Sequence, residues 1–360
     1  MQHNAPRTAL AWRGVIAHYG ERMQINHDVP PVTLFEGNTP LIPAPRLAQA
    51  LGGGFELFLK YEGLNPTGSF KDRGMTAAIT QAVADGAQAV ICASTGNTAA
   101  SAAAYAARAG LKCVVLVPEG KIALGKLAGA LSYGAQVVAI EGNFDDGLRI
   151  VRAVSERMPI VLVNNINPAR LQGQKTAAFE ICDALGDAPD WLCLPVGNAG
   201  NITAYWMGFS EYYADGLIRR RPRLLGAQAS GAAPLVHGHI VERPETIATA
   251  IRIGNPVRWR EAEAALRESN GHITDVSDDA ILEWQAKIAN LEGVFVEPAC
   301  AASVAAIAKG RKEGWLHMEG QRVVCVMTGH GLKDPDTVLA NAQPPKTIPA
   351  RVESLLDILE

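Results

Sequence analysis

Short apolar runs alternate with longer amphipathic segments along most of this chain. The runs typical of β-strands are those at 55–61, 89–93, 113–117, 136–140, 160–164, 191–196, 224–229 and 322–327. The segments typical of helices are those at 75–84, 98–109, 126–133, 144–158, 173–185, 201–213, 278–291 and 299–309. Strands separated by helical segments of about ten residues indicate βαβ units with parallel strands.

The pattern therefore predicts an α/β protein with two open, twisted, mainly parallel sheets that are flanked by helices. The chain has 360 residues, which is long enough for two domains with separate hydrophobic cores. We predict an N-terminal arm at 1–30, an α/β domain at 31–157, a second α/β domain at 158–345 and a C-terminal tail at 346–360. Residues 230–276 are less regular and are predicted to form mainly loops.

The composition narrows the class of protein. Hydrophobic residues make up 48% of the chain and charged residues 19%, which is typical of a globular protein. The 33 basic and 36 acidic residues leave a net charge of −3, which does not favour nucleic acid or a membrane as a partner. The N-terminus lacks the apolar core of a signal peptide, and no apolar run reaches the roughly 20 residues of a membrane helix. Six scattered cysteines without a CxxC pair favour a reducing, cytoplasmic compartment.

The densest polar chemistry lies at 63–74, where the sequence is GLNPTGSFKDRG. Pro66 predicts a turn, Gly68 can adopt a positive φ, and Ser69 is predicted to cap the following helix. Lys71 then lies in the first helical turn, where the helix dipole disfavours a cation. A lysine held there could stay partly neutral, as a Schiff-base or general-base lysine must. A surface lysine at the start of an ordinary helix is the alternative.

Two polar loops directly follow predicted strands and open predicted helices. They are Ser94-Thr95-Gly96-Asn97-Thr98 and Gly197-Asn198-Ala199-Gly200-Asn201. The second loop is predicted to be a phosphate cup, because its glycines permit close backbone approach and a helix N-terminus binds anions. The first loop suits a carboxylate or a ring hydroxyl. Both loops lie at carboxyl ends of strands, where open α/β sheets bind ligands, although each could serve turn geometry alone.

Two further candidates also follow strands. Thr328 ends the last predicted strand and offers a neutral hydroxyl to whatever lies at that edge of the sheet. Arg170 follows the strand-end loop at 164–169 and could hold an anionic group through two parallel hydrogen bonds. A solvated surface arginine is the alternative for Arg170.

Other motifs point to competing functions. Residues 120–127 match a nucleotide-binding P-loop except for the final Ser or Thr that would contact Mg²⁺. His237 and His239 could lie on one side of an extended chain, but no third ligand accompanies them, so no metal site is predicted. No GxGxxG motif follows a strand, which disfavours a nicotinamide cofactor.

A placed lysine, a phosphate cup, a polar loop and a strand-end threonine are the parts needed to hold pyridoxal 5′-phosphate. In these residues the chain resembles the threonine synthases, a family of fold-type-II pyridoxal-phosphate enzymes similar to the tryptophan synthase β subunit. The resemblance runs from about residue 12 to residue 335. The motifs that carry it are those at 65–74, 94–98, 173–176, 197–201 and 328–335.

The resemblance implies a fold-type-II architecture with the active site in the cleft between two domains. It implies that Lys71 is the Schiff-base lysine, that Asn97 contacts the ring oxygen of the cofactor and that Thr328 meets the pyridine nitrogen. A hydroxyl at that nitrogen, unlike an aspartate, does not force the protonated pyridinium form. The residues implied to hold the cofactor phosphate are Gly197, Asn198, Ala199, Gly200 and Asn201.

The resemblance also implies a substrate. Arg170 and Thr98 would bind its phosphate, with Asn165 close by, and the 94–97 loop that begins with Ser94 and Thr95 would bind its carboxylate. The implied reaction converts O-phospho-L-homoserine and water to L-threonine and phosphate, in a cytoplasmic homodimer.

The chain departs from the family pattern at two positions. His330 stands where a smaller or an amide side chain is expected, and Asn165 stands where serine is more usual. Two alternative functions stay open. The first is a fold-type-II dehydratase acting on serine or threonine, and the second is a nucleotide-binding protein that uses residues 120–127.

Overall fold

The computed structural model describes residues 12–119, 124–142, 144–341 and 344–359. The strands in these ranges are β1 Leu41–Pro43, β2 Glu56–Tyr61, β3 Ala89–Ala93, β4 Lys112–Pro118, β5 Gln136–Ile140, β6 Ile160–Leu162, β7 Trp191–Pro195, β8 Arg223–Ala229, β9 His272–Val276 and β10 Arg322–Met327. The helices are α1 Val15–Tyr19, α2 Pro45–Ala50, α3 Lys71–Ala84, α4 Asn97–Ala109, α5 Leu124–Ser132, α6 Phe144–Ser155, α7 Pro168–Gln174, α8 Thr176–Leu185, α9 Gly200–Ala214, α10 Pro234–His237, α11 Trp259–Glu268, α12 Asp278–Glu292, α13 Pro298–Lys312, α14 Pro335–Asn341 and α15 Val352–Leu359.

The strands form two sheets. The larger sheet has six strands in the order β1-β2-β10-β7-β8-β9, and the smaller has four in the order β5-β4-β3-β6. All neighbouring strands are parallel except β1 and β2, which are antiparallel. With helices against both sheets, this arrangement confirms the predicted α/β class with two mainly parallel sheets.

The central strands are apolar throughout because they are covered on both faces. All five residues of β3 are buried, and the helices α4 and α6 pack against it. Six of the eight alanines of α4 are also buried, which lets that helix lie close to α3 and α5. Continuous apolar runs of this kind are typical of parallel sheets with helices on both sides.

Sheet membership does not follow the predicted boundary at residue 157. The strands β1 and β2 precede that boundary but lie in the larger sheet, where Phe58 of β2 pairs with Val324 of β10. The strand β6 follows the boundary but pairs with β3 in the smaller sheet. The chain therefore crosses between the sheets more than once, and the division into two folding units stays a prediction.

Two regions between residues 160 and 276 differ from the predicted pattern. The single helix predicted at 173–185 is two helices, α7 and α8, and the side chain of Asn167 caps α7 by accepting a hydrogen bond from the Ala169 N–H at 3.0 Å. A Cβ atom at Gly173 would lie 1.8 Å from the Arg73 carbonyl oxygen, so α7 packs directly on the backbone of α3. The region predicted as loops contains α11 and β9, and β9 forms the edge of the larger sheet.

The N-terminal arm packs on the rest of the chain from residue 12 onward. The Tyr19 hydroxyl donates a hydrogen bond to Asp183 at 2.6 Å, and Val15 and Ile16 are buried beside α8 and α9 in one core cluster. Residues 1–11 of the predicted arm lie outside the described ranges. Every helix in the described ranges is too short or too polar to cross a lipid bilayer.

A buried network of charges joins β2, α3 and α8. The Arg73 guanidinium lies 2.6 Å from the carboxylates of both Glu62 and Glu180, and the Lys60 amine lies 2.7 Å from Glu180. Burial opposes the ionisation of Glu180, but the charges of Arg73 and Lys60 outweigh it and hold the pKa of Glu180 at about 2. Two cations therefore balance two anions in a place without solvent.

We expect Glu180→Gln to lower the free energy of unfolding by about 3–5 kcal/mol, because it leaves a buried positive charge uncompensated. The matched control is Glu283→Gln on α12, which removes an exposed pair with Lys287 and is expected to cost less than about 0.5 kcal/mol. Urea unfolding of both variants measures the difference. A loss below about 1 kcal/mol for Glu180→Gln would show that this network does not stabilise the fold in the way described.

Candidate active site

The strand-end loops of both sheets meet at one crevice of about 800 Å³. It is lined by every residue that the sequence predicted for the site, namely Lys71, Ser94, Thr95, Asn97, Thr98, Asn165, Arg170, Gly197, Asn198, Ala199, Gly200, Asn201 and Thr328. The loops come together because carboxyl ends of parallel strands share one edge of a sheet. The smaller sheet contributes the loop after β3, and the larger sheet contributes the loops after β7 and β10.

The turn that carries Lys71 is bonded to the end of β10. The Phe70 N–H donates to the Thr328 carbonyl at 3.0 Å, and the His330 N–H donates to the Gly68 carbonyl at 2.9 Å. Gly68 has the predicted positive φ, at 84°. The predicted cap at Ser69 is wrong, because Phe70 occupies the cap position and Ser69 Oγ accepts only a long hydrogen bond of 3.4 Å from the Lys71 N–H.

Asp72 holds this turn from the other side. Its carboxylate accepts hydrogen bonds from the Thr67 N–H at 2.6 Å and from the Ser101 hydroxyl of α4 at 2.6 Å. Burial raises the pKa of Asp72 to about 6, against the effect of these hydrogen bonds. The residue next to Lys71 therefore ties α3 both to its preceding turn and to α4.

Lys71 is partly exposed, and it lines the crevice with its amine 4.1 Å from the centre of the Phe70 ring. Desolvation by the surrounding protein and, to a smaller extent, the positive charge of Arg170 lower the pKa of Lys71 to about 7, and the negative charge of Glu297 opposes both. A substantial fraction of the amine groups is thus neutral at pH 7. Desolvation and Arg170 account for this shift, whereas the sequence argument invoked the helix dipole.

The phosphate cup at 197–201 has little room for side chains. A Cβ atom at Gly200 would lie 2.1 Å from Asn165 Oδ1, and one at Gly197 would lie 3.0 Å from the Ile251 Cα. The residue with a positive φ in this loop is Ala199, at 62°. The two glycines are therefore needed because neighbouring atoms leave no room for a side chain, and not because of their backbone conformation. Asn201 Nδ2 is buried and has no hydrogen-bond partner among the described residues.

Arg170 is a second group of buried donors in the crevice. Its side chain is buried, and one nitrogen donates to the Val163 carbonyl at 3.2 Å. Its Nε and Nη2 atoms have no partner in the described part of the chain. Burial lowers the pKa of Arg170 to about 10, so the guanidinium is still charged at neutral pH. A buried cation with two free donors is suited to an anionic ligand.

Glu297 is a crevice residue that sequence reasoning missed. It occupies the N-cap position of α13, and its carboxylate accepts hydrogen bonds from Asn97 Nδ2 at 2.9 Å and from the Thr328 hydroxyl at 3.0 Å. Burial raises the pKa of Glu297, and its two hydrogen bonds and the charges of Lys71 and Lys333 oppose that rise. The sequence did contain a signal, because Glu297 stands between an apolar run and Pro298 at a helix start, as in the other site loops.

The other residues and motifs singled out in the sequence are not part of the crevice lining or lie partly outside the described ranges. His330, one of the two departures from the family pattern, is outside the crevice lining and stacks on Tyr61 with the ring centres 6.1 Å apart. In the part of the chain that the structure describes, no group of three or more His, Cys, Asp or Glu could hold a metal ion. Four residues of the near P-loop, 120–123, lie outside the described ranges.

Comparison with known proteins identifies relatives over nearly the whole chain. Residues 32–329 match the family described as "Pyridoxal-phosphate dependent enzyme". A threonine synthase of Synechocystis is 59% identical over 93% of this chain and 87% of its own length. A threonine synthase of Mycobacterium tuberculosis is 57% identical over 95% of this chain and 94% of its own.

Solved structures share the fold. A T.th. threonine deaminase superposes with a TM-score of 0.67 and 27% identity, over 82% of this chain and 92% of that one. An O-ureido-L-serine synthase superposes with a TM-score of 0.73 and 20% identity, over 91% of this chain and 99% of that one. The second likeness concerns the fold alone.

We expect Arg170→Met to raise the pKa of Lys71 above 7, because a nearby positive charge is removed while the burial stays. Competitive acetylation of the cofactor-free protein across pH, read by peptide mass spectrometry, measures the midpoint for Lys71. The control is Arg149→Met on α6, an exposed arginine paired with Asp146. An equal midpoint in wild type and Arg170→Met, or a wild-type midpoint near that of free lysine, would contradict this account of the electrostatics.

Proposed function

We propose that this chain catalyses the reaction of its threonine synthase relatives, because it belongs to the pyridoxal-phosphate-dependent enzyme family. The reaction converts O-phospho-L-homoserine and water to L-threonine and inorganic phosphate. It removes phosphate from Cγ of the substrate and adds water at Cβ.

One observation carries the choice of substrate. Of the described buried side-chain atoms without a hydrogen-bond partner, those in the crevice belong to Arg170 and Asn201. The crevice therefore has two groups of free donors, one at the phosphate cup and one at the arginine. A dehydratase acting on serine or threonine handles one phosphate, that of the cofactor, whereas O-phospho-L-homoserine brings a second. Two sites for anions favour the phosphorylated substrate.

The residues of the crevice fit pyridoxal 5′-phosphate. The cofactor would be held covalently by Lys71, at its phosphate by the cup with the free amide of Asn201, at its ring oxygen by Asn97 and at its ring nitrogen by Thr328. Bound there, it supplies an electron sink that makes the Cα proton of an amino acid acidic. Gly200 begins α9, and the free backbone N–H groups at the start of a helix can donate to a phosphate.

Lys71 is the residue we assign to proton transfer. An amine with a pKa of about 7 can both accept and return a proton at neutral pH, which is what transfer at Cα and Cβ of the substrate requires.

We place the substrate carboxylate at the 94–97 loop, where Ser94 and Thr95 line the crevice and Ser94 Oγ accepts a hydrogen bond from the Gly96 N–H at 3.2 Å.

Arg170 is the residue we assign to the substrate phosphate, together with Thr98 and with Asn165 close by. Its free Nε and Nη2 atoms can donate two charge-assisted hydrogen bonds, which strengthen as negative charge grows on the departing phosphate. A phosphate bound there also offsets the positive charge that lowers the pKa of Lys71. Substrate binding would thus make the lysine a stronger base when a base is needed.

The purified protein is expected to release phosphate from O-phospho-L-homoserine in preference to forming a 2-ketoacid from L-threonine. Lys71→Ala should lower phosphate release by about 10²- to 10⁴-fold or more, because the proton-transferring amine is lost. Lys287→Ala, which changes an exposed lysine on α12, is the matched control with unchanged rate. Faster ketoacid formation would favour the dehydratase alternative, and a colourless protein that binds ATP would favour a nucleotide-binding function.

We also propose that the protein is a cytoplasmic homodimer. The compartment is supported by the six cysteines, all of which are buried and free. The homodimer is supported by the resemblance to threonine synthases. Light scattering on the purified protein should give twice the mass of the chain, and a mass equal to that of one chain would contradict the dimer.

A further inference from the structure

We propose that Glu297 is a positioning residue that takes the hydrogen of the Thr328 hydroxyl, so that Thr328 can only accept a hydrogen bond from the ring nitrogen of the cofactor. Thr328 would then favour the protonated form of that nitrogen. The inference deepens the proposed function and rests on it, since it concerns the same cofactor in the same crevice.

The contacts around Thr328 determine where its one hydrogen lies. Thr328 and Glu297 are both buried, and Thr328 Oγ1 lies 3.0 Å from Glu297 Oε1. A hydroxyl has one hydrogen to donate and two lone pairs to accept with, and an ionised carboxylate can only accept. The bond between these two groups therefore uses the hydroxyl hydrogen and leaves a lone pair. Cys300 Sγ, at 3.4 Å, is the other neighbour of the hydroxyl, and a thiol is a much weaker acceptor than a carboxylate.

The polar and charged contacts of Glu297 favour its ionised form. Asn97 Nδ2 donates to its second oxygen at 2.9 Å, so both carboxylate oxygens already act as acceptors. Lys333 and the protonated form of Lys71 also favour the negative charge. Burial acts in the opposite direction and raises the pKa of Glu297, and the two hydrogen bonds and the positive charges limit that rise.

The consequence differs from what Thr328 alone implies. A free threonine hydroxyl can donate to an unprotonated pyridine nitrogen or accept from a protonated one, so it favours neither form. With its hydrogen held by Glu297, the hydroxyl can only accept, and a pyridine nitrogen hydrogen-bonds an acceptor only when it is protonated. The negative charge of Glu297 nearby favours the same form. Thr328 and Glu297 together would therefore act as an aspartate does at this position.

Asn97 makes Glu297→Gln a sharp test. The amide of Asn97 donates toward Oε2 of residue 297, so a glutamine there is expected to turn its oxygen toward Asn97. Its NH₂ group then faces Thr328 and donates to the hydroxyl oxygen. The Thr328 hydrogen is released and can be donated to the ring nitrogen. One substitution of nearly the same size thus reverses the direction of the hydrogen bond.

The experiment loads the protein with pyridoxal 5′-phosphate labelled with ¹⁵N in its ring and records the ¹⁵N chemical shift at one fixed neutral pH. Wild type is expected to show the shift of a protonated ring nitrogen. Glu297→Gln is expected to move it by most of the difference between the protonated and unprotonated cofactor in solution. The matched control is Glu283→Gln, an exposed glutamate on α12, which should leave the shift unchanged.

A second pair of variants tests the same claim if Glu297→Gln does not fold. Thr328→Val removes the accepting oxygen and is expected to give the unprotonated shift, whereas Thr328→Ser keeps the hydroxyl and the wild-type shift. A role of Glu297 in stability alone would lower the unfolding midpoint but leave the ring shift where it is. Equal shifts in wild type, Glu297→Gln and Thr328→Val would therefore overturn the inference.

The outcome also separates this inference from the proposed function. The wild-type protein could bind the labelled cofactor and release phosphate from O-phospho-L-homoserine while the variants show the same ring shift as wild type. That result would support the proposed function and overturn the role of Glu297. A wild-type protein that fails to bind the labelled cofactor overturns both.

Discussion

The structure of this protein depends on one constraint, which is that the amine of Lys71 is desolvated where the two sheets meet. Burial of a lysine amine normally costs free energy, and here it lowers the pKa to about 7. Contacts on both sides of the lysine hold it in place against this cost. Asp72 fixes the preceding turn and α4, and the network around Arg73 joins α3 to β2 and α8. The lysine is thus carried by a helix, α3, whose position is fixed by these contacts.

Two charged residues change the pKa of that amine. Arg170 lowers the pKa of Lys71, Glu297 raises it, and each of these residues has contacts in the crevice that serve a second purpose. Arg170 has free donors for a phosphate, and Glu297 bonds to both Asn97 and Thr328. The same few side chains that would hold the ligands therefore also set the basicity of the lysine, so ligand binding and proton transfer are coupled through electrostatics.

Much of the fold and the site could be predicted because both follow local patterns. The strand at Ala89–Ala93 is a continuous apolar run between polar turns, and its bounds match the prediction. The site loops could be found because each follows a strand and opens a helix, which places them at one edge of a sheet. That rule predicts where residues gather, and all the predicted residues line one crevice.

What could not be predicted depends on contacts between distant segments. The periodicity of apolar residues predicts a strand but not the strand that pairs with it. The pairing of β2 with β10, more than 260 residues away, could therefore not be predicted. Near the break between α7 and α8, Gly173 lies against the backbone of Arg73 in α3, and this contact between two helices cannot be read from the sequence. Glu297 stands at the start of a helix, which is a weak signal in the sequence, and its bond to Asn97, 200 residues away, cannot be seen there.

The central claim is that Lys71 is the lysine that binds the cofactor, and one measurement tests it directly. Two other lysines, Lys60 and Lys333, also have a pKa lowered by burial, and Lys333 lines the same crevice. Borohydride reduction of the protein loaded with pyridoxal 5′-phosphate fixes the cofactor to its lysine, and peptide mass mapping then identifies that residue. The account predicts the modification at Lys71. Modification at Lys333 or at any other lysine in place of Lys71 would contradict it.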